Sequence, residues 1–259
     1  MTDTMTTGED DGAVTPALSV TDQLWESRVM LKPRDPRALR SILGADMRHS
    51  DGQFAHKMIW TLFPGMPDAQ RSGLFLFHVE RDQPFTAIIR SRRPPEDGLG
   101  GVWCIERTRP FQPMLRPEQR LRFRVRAVAS RWEPRPGKKR GHRVDAVRFA
   151  WNRLPEAERS PEMLEATAHA AAFDWLVGQG ARCGFRMLAE EVAVLDYDIT
   201  SMSPDGRRRD RNRNIQFGAL TYEGLLTVTE PEAFRQMLVS GLGSGRAYGN
   251  GLMQIAPAP

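Results

Sequence analysis

Cysteine is scarce: the 259 residues hold two, Cys104 and Cys183. They share no CxxC spacing and have no neighbouring histidines, which argues against a zinc site and against a disulfide framework. Each reads as a small core residue in a reducing compartment, so a cytoplasmic location is expected. Long apolar runs are missing as well. The longest, such as residues 74–77, are strand-sized and far short of the roughly 18 residues of a membrane span, so no membrane partner is expected. The N-terminus, MTDTMTTGEDDGAVTP, lacks the basic and apolar regions of a secretion signal. Residues 1–20 read as a disordered extension. No Asp/Glu cluster with metal-ligand spacing appears, which leans against two-metal hydrolysis, and no metal or cofactor is expected.

What is present describes a soluble globular protein with 40% hydrophobic and 27% charged residues. The length suffices for one large domain or two small ones. The formal net charge of +5 and pI near 9.7 favour an anionic partner, of which nucleic acid is the commonest.

Hydrophobic periodicity predicts a strand over residues 24–31, ended by Pro33 and Pro36, then a short helix over 36–43. In residues 53–63 (QFAHKMIWTLF), Phe54, Met58, Ile59, Leu62 and Phe63 fall at helical spacing. Strands follow at 74–80, 85–91 and 102–108, with a loop at 92–101. Residues 121–130 alternate apolar and basic with period two. That pattern gives a strand with one buried face and one face carrying Arg120, Arg122, Arg124 and Arg126. A basic loop at 133–143, a helix at 161–177 and a strand at 192–200 come next. Residues 215–222 and 225–229 read as two strands flanking Glu223-Gly224. A helix opens at Glu230-Pro231 and reaches about Val239; a last strand spans 252–256. Runs of strands punctuated by single helices indicate an α+β fold with antiparallel sheets. Two tandem ferredoxin-like units fit the order, although no second helix is evident in the first.

Three features carry candidate chemistry. The first is GLGSGRAYGNG, residues 241–251. A dinucleotide loop must open a helix within a βαβ unit. Only eight residues follow Gly251, and there is no GK[ST], so position argues against a nucleotide cofactor. Two readings stay open: a tight turn before the last strand, or a backbone surface for RNA phosphates helped by Arg246 and Tyr248. The second feature is cationic. Arg207, Arg208, Arg209, Arg211 and Arg213 follow a Pro204-Asp205-Gly206 turn, and Lys138, Lys139 and Arg140 form a second patch. Each is either a solvated charge run or a phosphate-binding surface suited to the major groove of an RNA duplex. The third is histidine, at positions 49, 56, 78, 142 and 169. RNA cleavage without metal needs a group to deprotonate the ribose 2′-hydroxyl or protonate the leaving 5′-oxygen, and histidine suits either. Basic groups must also stabilise the phosphorane charge. His56, off the apolar stripe of its helix, faces solvent or a ligand; His78, inside a strand, reads as packed.

Together these residues resemble the CasE-type CRISPR-associated endoribonucleases, the repeat-processing subunit of the type I-E Cascade complex. Four stretches carry the likeness in order: HKMIWTLFP from His56, FLFHVE at 75–80, NIQFGALTYEGLLTVTEPEAF at 214–234, and GLGSGRAYGNGLMQIAP from Gly241. It covers residues 24–257. The resemblance implies an N-terminal ferredoxin-like domain (21–115) carrying the catalytic histidine. It implies a second such domain (116–259) with a basic hairpin and the glycine-rich loop. His56 takes the catalytic position. The family's basic hairpin falls on Arg207–Arg213; from the residues themselves, Lys138, Lys139 and Arg140 and the glycine segment's Gly243, Ser244, Gly245 and Arg246 are also expected to bind RNA. The implied reaction is metal-independent cleavage at the base of a CRISPR repeat hairpin. It leaves a 2′,3′-cyclic phosphate and a 5′-hydroxyl, and the product stays bound within Cascade. Gln53 stands where some members carry tyrosine, His78 where many carry arginine, and Asn250 where cysteine is frequent. The glutamine motivates an alternative, a non-catalytic subunit that binds the same hairpin.

Overall fold

A computed structural model describes residues 23–32, 52–134, 137, 141–202 and 215–259. The expected N-terminal extension, the helix at 36–43, His49, Lys138, Lys139, Arg140 and Arg207–Arg213 lie outside the described residues.

The first half is a four-stranded antiparallel sheet of β1 (Trp25–Leu31), β2 (Phe75–Asp82), β3 (Phe85–Ser91) and β4 (Trp103–Pro110), in the order β2-β3-β1-β4. Helix α1 (Gly52–Trp60) connects β1 to β2. Its Phe54, Met58 and Ile59 pack, with Leu62 and Phe63 beyond its end, against Val29, Phe77, Ala87 and Ile89 of the sheet. The helix stops three residues before the expected end, and turns lead on to Gly65. Among the described residues, no helix joins β3 to β4. Pro94 and Pro95 oppose one there. Asp97 organises the connection instead, accepting from the N–H groups of Leu99 at 3.0 Å and Trp103 at 3.2 Å.

The second half opens on β5 (Arg120–Val128), whose burial alternates as its sequence does. A hairpin, β6 (Ser130–Glu133) and β7 (His142–Asp145), leads into α2 (Ala146–Arg153) and then α3 (Pro161–Cys183). The short β8 (Phe185–Arg186), the long β9 (Val192–Met202) and β10 (Ile215–Val228) follow. Helix α4 (Pro231–Ser240) and β11 (Met253–Pro257) close the chain. The sheet runs β11-β5-β10-β8, with β9 also on β10. In both halves the last strand lies beside the first, and the first beside the last but one. That is the ferredoxin-like order, repeated in tandem.

Three expectations need correcting. The two expected strands are one, Ile215–Val228, because Gly224 is no turn. It pairs with Phe123 on one side and Val192 on the other. A Cβ there would sit 2.1 Å from the Glu191 carbonyl oxygen, so glycine is needed for close approach within the sheet. The helix from Pro161 runs six residues past Val177, to Cys183, through Gly178 and Gly180. Gly180 is required where the Phe185 carbonyl oxygen would lie 2.5 Å from a Cβ. Gly184, left-handed at φ 73°, ends the helix. The ends of the basic loop at 133–143 are strand, and the helix that follows them is additional to the expected elements.

Asp145 explains that helix. One carboxylate oxygen accepts from the Arg148 N–H at 2.9 Å, capping α2, and from the Tyr197 hydroxyl at 2.9 Å. The other accepts from the Gly218 N–H at 3.0 Å, where β10 runs on past the end of β5. Asp145→Ala removes the cap and strands a buried backbone donor. It is expected to destabilise the protein by about 2–4 kcal/mol. A urea midpoint equal to that of the parent would refute this account.

Candidate functional site

The site is built where the two halves meet. The glycine segment bends back over the first half, and its 3-10 turn, Arg246–Tyr248, packs against both α1 and β2. Its glycines are spatial requirements. Gly241, Gly243, Gly245, Gly249 and Gly251 all have positive φ. A Cβ on Gly249 would press on the Phe77 ring at 3.1 Å, and one on Gly243 on the Trp175 ring at 3.1 Å. The Leu242 N–H donates to the Gly251 carbonyl at 2.9 Å, closing the loop on itself. Ser244 bridges to Val128 at the end of β5. The segment is therefore a packed turn before the last strand, and it also lines a cavity.

His56 lies on the α1 side of this junction. It is half-buried, with its ring against Phe75 and Phe77 at centroid distances of 5.7 and 6.3 Å. The ring is thus partly walled in rather than turned to solvent. Trp60, one helical turn on, donates its indole N–H to His56 Nε2 at 2.9 Å. Nδ1 is buried and has no hydrogen-bond partner among the described residues. Burial holds the pKa of His56 below its ordinary value, so the neutral imidazole predominates at neutral pH. That neutral ring can accept a proton at one nitrogen.

The other described histidines differ. His78 is pushed down to about 4 by burial, with Arg124 and Arg126 adding to the effect. His142 sits on β7, 3.8 Å from Glu133, and His169 is exposed on α3. Neither lies on α1 or β2, against which the glycine turn packs.

Behind the glycine segment opens a cavity of about 600 Å³. Arg131 and Arg143 of the hairpin, Arg182 of α3 and Arg246 of the turn line it, and among the described residues no carboxylate does. Burial lowers the pKa of Arg246, and the charge of Arg143 lowers it further. Crowded cations without an acid beside them suit a polyanion. The basic face of β5 is different: Arg120, Arg124 and Arg126 pair with Glu191, Glu223 and Asp198.

Of the residues singled out by sequence, the structure brings His56 and Arg246 to neighbouring elements, and sets Gly243 and Ser244 with Arg246 on the cavity wall. Gly245 packs on Val128 at 3.0 Å, measured from the Cβ it would carry. Trp60, Arg131 and Arg182 escaped sequence reasoning, whereas Arg143 closes the basic loop that the sequence singled out. The i, i+4 spacing of His56 and Trp60 was a visible signal; for the two arginines there was none. Cys104 and Cys183 are free, and no group of three His, Cys, Asp or Glu side chains is disposed for a metal among the described residues. No helix there is long and apolar enough to cross a membrane.

Residues 24–257 match the sequence model of a family described as CRISPR associated protein. The CRISPR-associated endoribonuclease Cse3 of Thermus thermophilus is 30% identical over 251 residues, covering 90% of this chain and 100% of that protein. The CRISPR system Cascade subunit CasE of Escherichia coli K12 is 27% identical over 208 residues, covering 78% of this chain and 90% of that one. The solved structure of Thermus thermophilus Cse3 bound to an RNA representing a pre-cleavage complex superposes with a TM-score of 0.64 at 25% identity. That match covers 91% of this chain and 100% of the other.

Proposed function

This chain belongs to the CRISPR associated protein family, as a CasE-type member, and from that premise we propose that it is an endoribonuclease of CRISPR RNA processing. It binds the repeat hairpin of the precursor, cuts at its base without metal, and stays on the product as a subunit of Cascade. Its workplace is the cytoplasm, in keeping with two free, half-buried thiols.

The observation that carries this reading is the junction itself. A half-buried neutral histidine sits on the helix against which the glycine turn packs, and the same turn contributes to a cavity walled by arginines. His56 serves as general base toward the ribose 2′-hydroxyl. The 2′-oxygen bonds to phosphorus, the bond from phosphorus to the 5′-oxygen breaks, and that oxygen leaves carrying a proton. His56 takes the 2′ proton and passes it to solvent while solvent supplies one to the 5′-oxygen, so no proton is gained or lost overall. The products are a 2′,3′-cyclic phosphate and a 5′-hydroxyl. Arginine side chains stabilise the charge that builds on the phosphorane. Incubating the protein in EDTA with the repeat RNA encoded beside its gene, then mapping the ends, tests this. Ends of the stated kind support it; intact RNA, or activity that EDTA abolishes, overturns it.

A second reading, a non-catalytic hairpin-binding subunit, is favoured by Gln53 in place of tyrosine. Binding of the hairpin with no turnover by the wild-type protein would select it.

Arg143 and Arg246, with Arg207, Arg208 and Arg209, are assigned to phosphates. Replacing Arg143 and Arg246 by Gln is expected to weaken binding and to flatten the plot of log affinity against log salt. The slope falls by up to about 0.9 for each duplex phosphate that the variant leaves unneutralised. An unchanged slope removes the two arginines from the interface.

A further inference from the structure

We propose that Trp60 is a positioning residue for His56. Its indole N–H holds the imidazole in the tautomer with the proton on Nδ1 and the lone pair on Nε2, and occupies the place that the RNA 2′-hydroxyl takes as donor. The assignment follows from heavy atoms alone. An indole nitrogen only donates, so the Nε2 that it meets at 2.9 Å must be the acceptor. In a neutral imidazole the other nitrogen then carries the proton.

Packing makes the contact specific. Trp60 stands on Phe75 with ring centroids 4.8 Å apart and meets Phe63 at 6.5 Å. The guanidinium of Arg71 lies 5.3 Å from its ring centroid. In the RNA-free protein these contacts hold the indole against Nε2, and the His56 ring is wedged between it and Phe75 and Phe77. Protonating Nε2 would turn two N–H groups toward each other, so this bond favours the basic form. The titratable and charged groups on the packed elements are Lys57 on α1, Arg71 beside Trp60, His78, Glu80, Arg81 and Asp82 on β2, and Arg246 and Tyr248 on the glycine turn. The downward shift of His56 has burial as its cause; the Trp60 bond acts in the same direction.

The catalytic part of this inference rests on the endoribonuclease reading; the tautomer does not. Two changes remove the donor from the full-length protein. One is Trp60→Phe. The other puts β-(3-benzothienyl)alanine at position 60, which keeps the bicyclic shape with sulfur in place of N–H. Nitrogen NMR of the His56 ring, without RNA, is expected to show the Nδ1–H tautomer in the wild type. Both variants should lose that preference and titrate at higher pH. In single-turnover cleavage, the acid limb of their pH–rate profile moves up with the ring titration. Rates on that limb fall roughly three- to tenfold, the equivalent of one net hydrogen bond. Hairpin affinity stays unchanged.

Unchanged tautomer and titration in both variants overturn the proposal. A changed titration with an unmoved acid limb overturns its catalytic part. If the wild type does not cut the RNA at all, the endoribonuclease reading falls while the NMR result still decides the tautomer.

Discussion

Replacing His56 by alanine is expected to slow single-turnover cleavage of the cognate repeat by roughly 10²- to 10⁴-fold, the usual worth of a positioned general base. Hairpin affinity should change by less than about threefold, because the imidazole is neutral and adds no charge to the interface. The fold should survive. Met58, Ile59 and Phe54 anchor α1 and are fully buried, whereas His56 is half-buried on another side of the helix. The pH profile carries a sign. A base works in its unprotonated form, and burial lowers the pKa of His56, so wild-type activity persists below pH 6.5 and fails as pH drops through the lowered value. His78 provides the contrast. Its pKa of about 4 leaves it neutral across the same range, so a limb set by His78 would lie lower still. His56→Ala protein that cuts at the wild-type rate would end the assignment.

Part of this architecture was legible in sequence, and the reasons are local. The alternation in β5 could be read directly because one face meets the core and the other does not. The α1 stripe and the strand at 85–91 were equally plain. What failed were glycines. Gly224, Gly178 and Gly180 look like breakers, yet two of the three exist because another backbone comes within 2.1 to 2.5 Å of where a Cβ would be. Such contacts are tertiary and leave no periodic trace. The glycine tail identified the family by its pattern, but only the fold sets it against α1 and opens an arginine-lined cavity behind it. His56 was singled out by chemistry and neighbouring motif; its hydrogen bond to Trp60 was visible only as a spacing. Arg90 was opaque. An arginine in an apolar strand reads as a solvent-facing residue, and two of its partners lie 148 and 163 positions away.

Arg90→Met is therefore expected to be the most destabilising single change described, at about 3–5 kcal/mol. For a chain of this size that is a fall in Tm of roughly 8–15 °C. The side chain is 1% exposed. From β3 it donates to Glu26 of β1 at 2.7 Å, to the Leu238 carbonyl of α4 at 2.9 Å and to the Met253 carbonyl of β11 at 3.1 Å. Its guanidinium also lies over the Phe111 ring at 3.6 Å. One planar cation thus ties the first sheet to a helix and a strand of the second half. Methionine fills similar space but leaves two carbonyls and a half-neutralised carboxylate behind, and Arg109 alone then faces Glu26 at 2.8 Å. Lysine keeps the charge without the fork, so Arg90→Lys should fall between the two. Acid titration gives an independent check. Burial pulls the Glu26 pKa up, but Arg90 and Arg109 outweigh it, so the folded value lies below the ordinary 4.5. The stabilisation is complete above the unfolded value and is lost as pH falls through the folded one. Without Arg90 that pull weakens, burial counts for more, and the acid-dependent loss below about pH 4.5 should shrink or reverse. A melting temperature within about 2 °C of the parent at neutral pH would mean that the two halves are held by their apolar contacts alone.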